Sequence, residues 1–578
     1  MMRDATIRFV FATSAWTSPS LCRADKDHAE FKGNEVMLRA ASTFIYQEPV
    51  MSSRKMPVSV ARGSRAVIES ISDWVRIDAG WVRNQDVIST NRASEFFANM
   101  VAHKPSAIVY SCNSLARLEI NNIASAIADA NMAMKIDSTD PLVLYVSGMA
   151  QLRAGNFNLA FRHINDAIAK QPTFSEAFYC RGLLNAESNN PKEAIKDYDT
   201  ALQLSPRFSK VLVARAEAKD SCGDLKAALK DAEDALQINP KSAFAHFVRG
   251  TILGKMGQVA NAIASFDDSL LLDSTLVESY VMRGYYRGSV KDSQAAIDDF
   301  GAALQIDDQS IPAYIGRAKV YCDLRQFERA ISDLNVCIQI DPRDELTFAL
   351  RGQAWRSLQE YTKALADYDV SIRLNPKYFD GHLGKSVVLK EVGDCNRALE
   401  SIATAIQVEP TSPRAYVVLG DILTLTGDRG KAIEAYTKAI KLNPDDANIF
   451  LIRAQRYHFL GEYRLSLRDL QLAVKIDPKH AIAHQEIAWI KATCPKEPYR
   501  DGPAALDEAR TACSLLGWNN ALCLATIAAA YAETGDFRSA VMYQNRAIEL
   551  STRAERDSLN KHKQLLEKYK LGKPHREE

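Results

Sequence analysis

Residues 413–444 read PRAYVVLGDILTLTGDRGKAIEAYTKAIKLNP, and near copies of this spacing recur every 34 residues on both sides. Tyr416, Gly420 and Leu423 fall at helical spacing, Gly427 interrupts the helix, Ala432, Tyr436 and Ala439 make a second apolar stripe, and Pro444 stops it. The spacing predicts two helices joined by a tight turn. Units start at 107, 141, 175, 209, 243, 277, 311, 345, 379, 413, 447 and 481, eleven steps of 34 without insertion or deletion.

Three columns say why each unit folds into a hairpin. The eighth place is always small, for example Gly148, Gly182, Ala216, Gly250 and Gly420, and the twentieth is nearly always alanine, from Ala126 to Ala432. Small residues on facing helices let the two approach closely. The fifteenth place is Gly155, Gly223, Gly257, Gly393, Gly427 and Gly461, or Asn121 and Asn189, which tolerate the left-handed conformation past a helix end. Pro172, Pro206, Pro240, Pro342, Pro376, Pro410, Pro444 and Pro478 end the second helix, because proline lacks a donor and clashes with the preceding turn.

A 34-residue hairpin with small residues at its eighth and twentieth places resembles the tetratricopeptide repeat, and the resemblance covers roughly four fifths of the chain. It implies an all-α array over residues 107–552, a right-handed α-solenoid of about 13 repeats, whose concave groove holds partner proteins. After Ile482 the period slips, with about five extra residues near 494–503, and the next unit starts near Ala521. ATCP, YRDG, Ala512-Cys513 and AAAYAETGDF resemble the closing units of a group of bacterial proteins of this type. A disulfide between Cys494 and Cys513 is excluded on length. One ends a helix and the other lies about 18 Å along the next, against the roughly 7 Å that a disulfide spans. Residues 553–578 carry Leu559, Leu565, Leu566 and Tyr569 on one stripe and read as a capping helix, with GKPHREE as a tail.

The front of the chain has another texture. Residues 1–24 place Arg3 before IRFVFATSAW and small residues up to Ala24, which reads as a signal peptide, a disordered tail or a misplaced start. Bacterial cytoplasm and periplasm both stay open as locations. Residues 33–90 are β-branched, aromatic and punctuated by turns. Their tandem DWVRI and GWVRN resembles the closing strands of a bacterial SH3-like barrel, which implies a small β-barrel with Trp74 and Trp81 near its core or ligand groove. Relatives of that barrel bind peptides or cell-wall fragments. Residues 91–106, with Phe96, Phe97 and Met100, read as a degenerate capping helix.

The bulk numbers favour a protein partner. With 72 basic and 71 acidic side chains the net charge is +1, so no basic excess argues for nucleic acid. The ten cysteines lie singly, with no CxxC pair and no histidine cluster at metal spacing. No run of about 18 apolar residues marks a transmembrane segment. GxxxxGK[ST], GxSxG and HExxH are all missing, so neither a cofactor nor catalysis is expected. Arrays of this family also occur fused to glycosyltransferases. The asparagine ladder of those enzymes, and the basic clamp by which some chaperone adaptors grip a carboxylate, are not matched at the apolar sixth places Cys180, Val248, Met282, Leu350 and Val418.

Two sets of residues stand out when the repeats are compared with each other. Arginine at the seventh place and aspartate at the twenty-third occur together as Arg181 with Asp197, Arg215 with Asp231, Arg283 with Asp299, Arg317 with Asp333, Arg351 with Asp367 and Arg453 with Asp469. This predicts a ladder of charge-assisted bonds between the two helices, within a unit or across one boundary. The second, fifth, ninth and twelfth places of each first helix share a face, which in this family lines the groove. Tyr145, Met149, Tyr179, Leu183, Phe244, Phe247 and Tyr285 concentrate there in units 141–277 and are the expected anchors for a partner peptide.

Overall fold

Each first helix runs 13 residues and each second helix 14, as in Pro413–Leu425 and Arg429–Leu442, except Gly502–Leu516 with 15. Gly427 between them sits at φ +82°, and Asn121 and Asn189 take the same left-handed turn at +57° and +59°. Lys291, Arg325 and Gln359 occupy the corresponding fifteenth places at +66°, +59° and +61°, although their side chains do not favour it. The next residue caps the second helix. Asn122, Asp224, Asp292, Asp394, Asp428 and Asp536 each accept a bond from the backbone N–H three residues on, which satisfies one of the helix's orphan donors.

The computed structural model describes residues 35–38, 44–46, 55–57, 65–71, 74–77, 80–83, 87–103, 105–551 and 556–577. Two units divide it, Met1–Leu324 and Arg325–Glu578. In the first, helix Thr90–His103 precedes six hairpins, from Ala107–Glu119 with Ile123–Ile136 to Val277–Ser289 with Ser293–Ile306, and helix Ile311–Asp323 follows. The second opens with Phe327–Ile340, continues through six hairpins ending at Ala521–Glu533 with Phe537–Leu550, and closes with Arg556–Lys570.

The eighth-place glycines answer to a bulkier neighbour than the twentieth-place alanine. A Cβ on Gly182 would stand 2.3 Å from the Tyr198 ring, one on Gly250 2.8 Å from Phe266, and one on Gly420 2.6 Å from Tyr436. These rings, at the twenty-fourth place, are fully buried. The alanine column still matters, since the carbonyl of Ala160 lies only 3.3 Å from a Cβ placed on Gly148. Sixth-place glycines receive the ring of the preceding repeat: a Cβ on Gly316 would meet Phe300 at 2.3 Å, and one on Gly384 would meet Tyr368 at 2.3 Å. One ring therefore plugs the gap inside its own hairpin and the gap to the next, and burying it contributes about 2–3 kcal/mol.

Both caps close apolar ends. Phe97 of helix Thr90–His103 is buried with Cys112 and Leu115, and Leu565 and Tyr569 of helix Arg556–Lys570 pack on the last hairpin. The slipped segment forms the 3-10 turn Glu497–Tyr499 between Ala481–Thr493 and Gly502–Leu516. Cys494 is buried in a cluster with Tyr463, whereas Cys513 faces Cys523, their sulfurs 2.7 Å apart.

Ahead of the helices lie strands β1 (Glu35–Leu38), β2 (Phe44–Tyr46), β3 (Lys55–Pro57), β4 (Arg65–Ile71), β5 (Trp74–Ile77), β6 (Gly80–Arg83) and β7 (Val87–Ser89), ordered β3-β2-β6-β5-β4-β1-β7. Trp74 pairs in register with Ile71 and Arg83, and Trp81 with Tyr46 and Arg76. The side chains of both tryptophans, and the reading of residues 1–24 as a leader or tail, lie outside the described residues.

Candidate functional site

The arginine–aspartate columns meet between the two helices in five hairpins. Arg181 donates from Nε and Nη2 to Asp197, Arg215 to Asp231, Arg283 to Asp299, Arg351 to Asp367 and Arg453 to Asp469, at 2.6 to 3.2 Å. The aspartates are buried and the arginines half-buried. Arg317 lies half-buried on helix Ile311–Asp323 with its guanidinium 5.6 Å from the Tyr314 ring centre, and Asp333 is buried on Phe327–Ile340.

The same arginines also reach back one repeat through Nη1, so that the ladder holds both within and between hairpins. Arg181 bonds Asn165, Arg215 bonds Asp199, Arg283 bonds Asp267, Arg351 bonds Asn335 and Arg453 bonds Thr437. Sequence comparison missed this twenty-fifth-place column, which is polar in most repeats but not at Gly301 and Ala403. It missed the eleventh place as well, where Asn185, Lys219 and Arg287 add a bond to the aspartate. In the first repeat Arg117 plays that part, pairing with Asp129 at 2.8 Å beside Asn113. In the repeat that starts at 141, where the pair is absent, a neutral bond stands in, Ser147 Oγ with His163 Nδ1 at 2.9 Å. These contacts tie helix to helix and repeat to repeat.

The expected groove anchors divide by position. Fifth-place Tyr145, Tyr179 and Phe247 are buried, packed on Phe174, on Tyr198 and Phe208, and on Phe266. Their rings belong to the core, because the first helix rolls its fifth place toward the second helix and the inter-repeat turn. Met149, Leu183, Phe244 and Tyr285 remain half-buried on the face, with the Tyr285 hydroxyl bonded to the Pro312 carbonyl at 3.0 Å. Among them Glu217, at a ninth place, is open to water yet flanked closely by protein. That enclosure pushes its carboxyl up to about 7, with Asp220 and Glu187 adding and Lys255 opposing.

In the last repeats the same face carries a peptide. Helix Arg556–Lys570 ends at Gly572, φ +67°, with Lys573 N–H bonded back to the Lys568 carbonyl. From there the chain, read from sequence as a tail, turns onto the face. Glu577 N–H donates to the Thr493 carbonyl at 3.0 Å. Its carboxylate pairs with His458 Nε2 at 2.7 Å through one oxygen and accepts from Trp489 Nε1 at 2.6 Å through the other. Arg576 meets Glu533 at 2.6 Å, the carboxylate that Arg500 approaches from its other oxygen at 3.2 Å. The His575 ring lies 5.9 Å from that of Trp489. His458 is a twelfth-place residue and Trp489 a ninth-place one. Burial works against the His458 charge, but the bond and charge of Glu577, with Glu486 beyond, raise its pKa on balance. Burial likewise opposes ionised Glu577, and the bonds from His458 and Trp489 outweigh it and lower its pKa. Sequence carried no signal for this contact, since His458 and Glu577 are 119 residues apart and Glu577 lies outside the period.

Among the described residues no cluster of His, Cys, Asp or Glu has metal-binding geometry, and no helix is long and apolar enough to cross a membrane. Family models described as tetratricopeptide repeat match residues 175–208, 413–446 and 522–553. Among solved structures, a tetratricopeptide repeat protein of Parabacteroides merdae is similar over 43% of this chain and 98% of its own, at 16% identity and TM-score 0.37. The APC/C hetero-tetramer Cut9-Hcn1 supplies a chain similar over 81% of this one and 99% of its own, at 12% identity and TM-score 0.40. A thermophilic repeat protein of Thermus thermophilus is similar over 31% and 98%, at 20% identity and TM-score 0.29. No curated protein matches the chain. Tetratricopeptide repeats are thus present in both units, and proteins built of them typically bind other proteins.

Proposed function

We propose that the array is a non-catalytic protein-interaction scaffold that receives extended segments of partner proteins in its groove, on the face formed by the second, fifth, ninth and twelfth places. The observation behind this reading is the segment Lys573–Glu577, held on that face by one backbone bond and three side-chain contacts in the manner of a bound peptide. In units 141–277 the half-buried Met149, Leu183, Phe244 and Tyr285, with Glu217 among them, supply the apolar patches and charged rim that such a ligand needs. A photo-crosslinking residue at Glu217 tests this against one at the exposed Glu233 on a second helix. Partners cross-linked from position 217 and not from 233 support the groove; capture from 233 alone would move binding to the outer face.

A second reading makes the chain an adaptor whose SH3-like unit, over residues 33–90, binds a peptide or cell-wall ligand through Trp74 and Trp81. It draws on the antiparallel pairing of β5 with β6, which sets the two tryptophan-bearing motifs side by side. Binding of cell-wall fragments by the parent chain that is lost in Trp74→Ala and Trp81→Ala would favour it.

A further inference from the structure

The capping helix Arg556–Lys570 already seals the last hairpin through Leu565, Leu566 and Tyr569, so the core does not need the residues beyond it. Those residues nevertheless lie along the first-helix face, and their contacts are of the kind that recognises a ligand. The two charges of Arg576 and Glu577 are read separately. A carboxylate, Glu533, takes the arginine, while two N–H groups, from His458 and Trp489, take the glutamate. Two of the receiving groups are held from behind, Glu533 by Arg500 and His458 by its approach to Glu486, which Gln455 bonds in turn. Glu577 N–H on the Thr493 carbonyl fixes the register of the backbone. Pro574 restrains its own φ and that of Lys573, which lowers the entropy lost when the segment docks.

We propose that the face formed by His458, Trp489, Thr493 and Glu533 is a binding site for an extended partner segment bearing an adjacent arginine–glutamate pair, and that Lys573–Glu577 fills it in cis until such a segment displaces it. This rests on the reading that the first-helix face receives partner segments, and adds to it a location, a ligand chemistry and a gate. A tethered occupant competes at an effective concentration in the millimolar range. Free peptide therefore binds the intact chain poorly and a chain without the segment well.

The probe is a fluorescein-labelled peptide of residues 573–578, KPHREE, titrated by fluorescence anisotropy against three proteins: the full chain, a chain ending at Gly572, and the full chain with Glu577→Lys. The last two should bind it at least tenfold more tightly than the parent. Exchanging the arginine with the first glutamate of the peptide, or introducing His458→Gln into the shortened chain, should cost at least tenfold. Weak binding by a shortened chain whose circular dichroism and melting match the parent overturns the proposal. So does tight binding that ignores the exchange, which would be charge attraction alone. Light scattering that shows a parent dimer becoming monomeric on shortening would put the segment on a neighbouring copy and overturn the gate in cis. If position 217 still cross-links partners while the peptide fails, this site falls and the scaffold reading stands.

Discussion

Asp231→Ala isolates what the arginine ladder contributes. Asp231 is 3% exposed and accepts three charge-assisted bonds, from Arg215 Nε and Nη2 and from Lys219 Nζ, all at 2.7 Å. Removing it leaves the Arg215 guanidinium, with a side chain 18% exposed, only the solvent-facing Asp199 as a carboxylate partner. Stranding a partly buried charge in this way costs about 3 kcal/mol, against roughly 0–1 kcal/mol for an exposed pair. Because a repeat contacts only its neighbours, the loss should concentrate in the hairpin Ser209–Ser221 with Leu225–Ile238 and its two flanks. Hydrogen exchange resolved by segment reads this directly, and urea unfolding gives the total. The double change Arg215→Met with Asp231→Leu removes both charges, so it should recover much of the loss even though the bridge to Asp199 goes with it. A single-variant cost below about 1 kcal/mol, or a double variant as costly as the sum of the singles, would refute the argument from a stranded charge.

Gln359→Gly should stabilise the chain by up to about 1 kcal/mol, since Gln359 holds φ +61° where glycine is unstrained; a lower urea midpoint would count against this. Gly182→Val should destabilise by roughly 2 kcal/mol or more, an overpacking cost, because a Cβ there already meets the Tyr198 ring at 2.3 Å; adding Tyr198→Ala should relieve part of it, and no relief would contradict the wedge. Docking of KPHREE on the shortened chain should depend on pH through His458 and Glu577, the other charged groups around them being Glu486, His575 and Arg576. The raised pKa of His458 makes its contribution complete below the ordinary 6.5 and lets it fade as pH rises through the folded value. The lowered pKa of Glu577 makes its contribution complete above the ordinary 4.5 and lets it fade as pH falls through the folded value. Affinity should therefore peak between those two values and fall as pH rises through the raised His458 value, and a flat profile would remove the pair from recognition.

The hairpins were legible in the chain because their causes are local and repeated. A glycine or asparagine at the fifteenth place, a proline at the end and small residues at two fixed places act within 34 residues, and twelve copies average out exceptions such as Lys291 and Gln359. The arginine–aspartate columns were legible for the same reason, since Arg181 and Asp197 rise and fall together along one chain. Their second partners, Asn165 and Asp199 in the preceding repeats, escaped because a polar residue at one place says nothing of which neighbour it faces. Only the packed helices decided that Tyr145, Tyr179 and Phe247 belong to the core, because helical spacing shows which residues share a face but not how far that face is rolled toward the next helix. Only they decided, too, that Arg576 and Glu577 meet Glu533, His458 and Trp489. A segment that occurs once has no period to betray its place, and its partners come together only when the repeats between them have stacked.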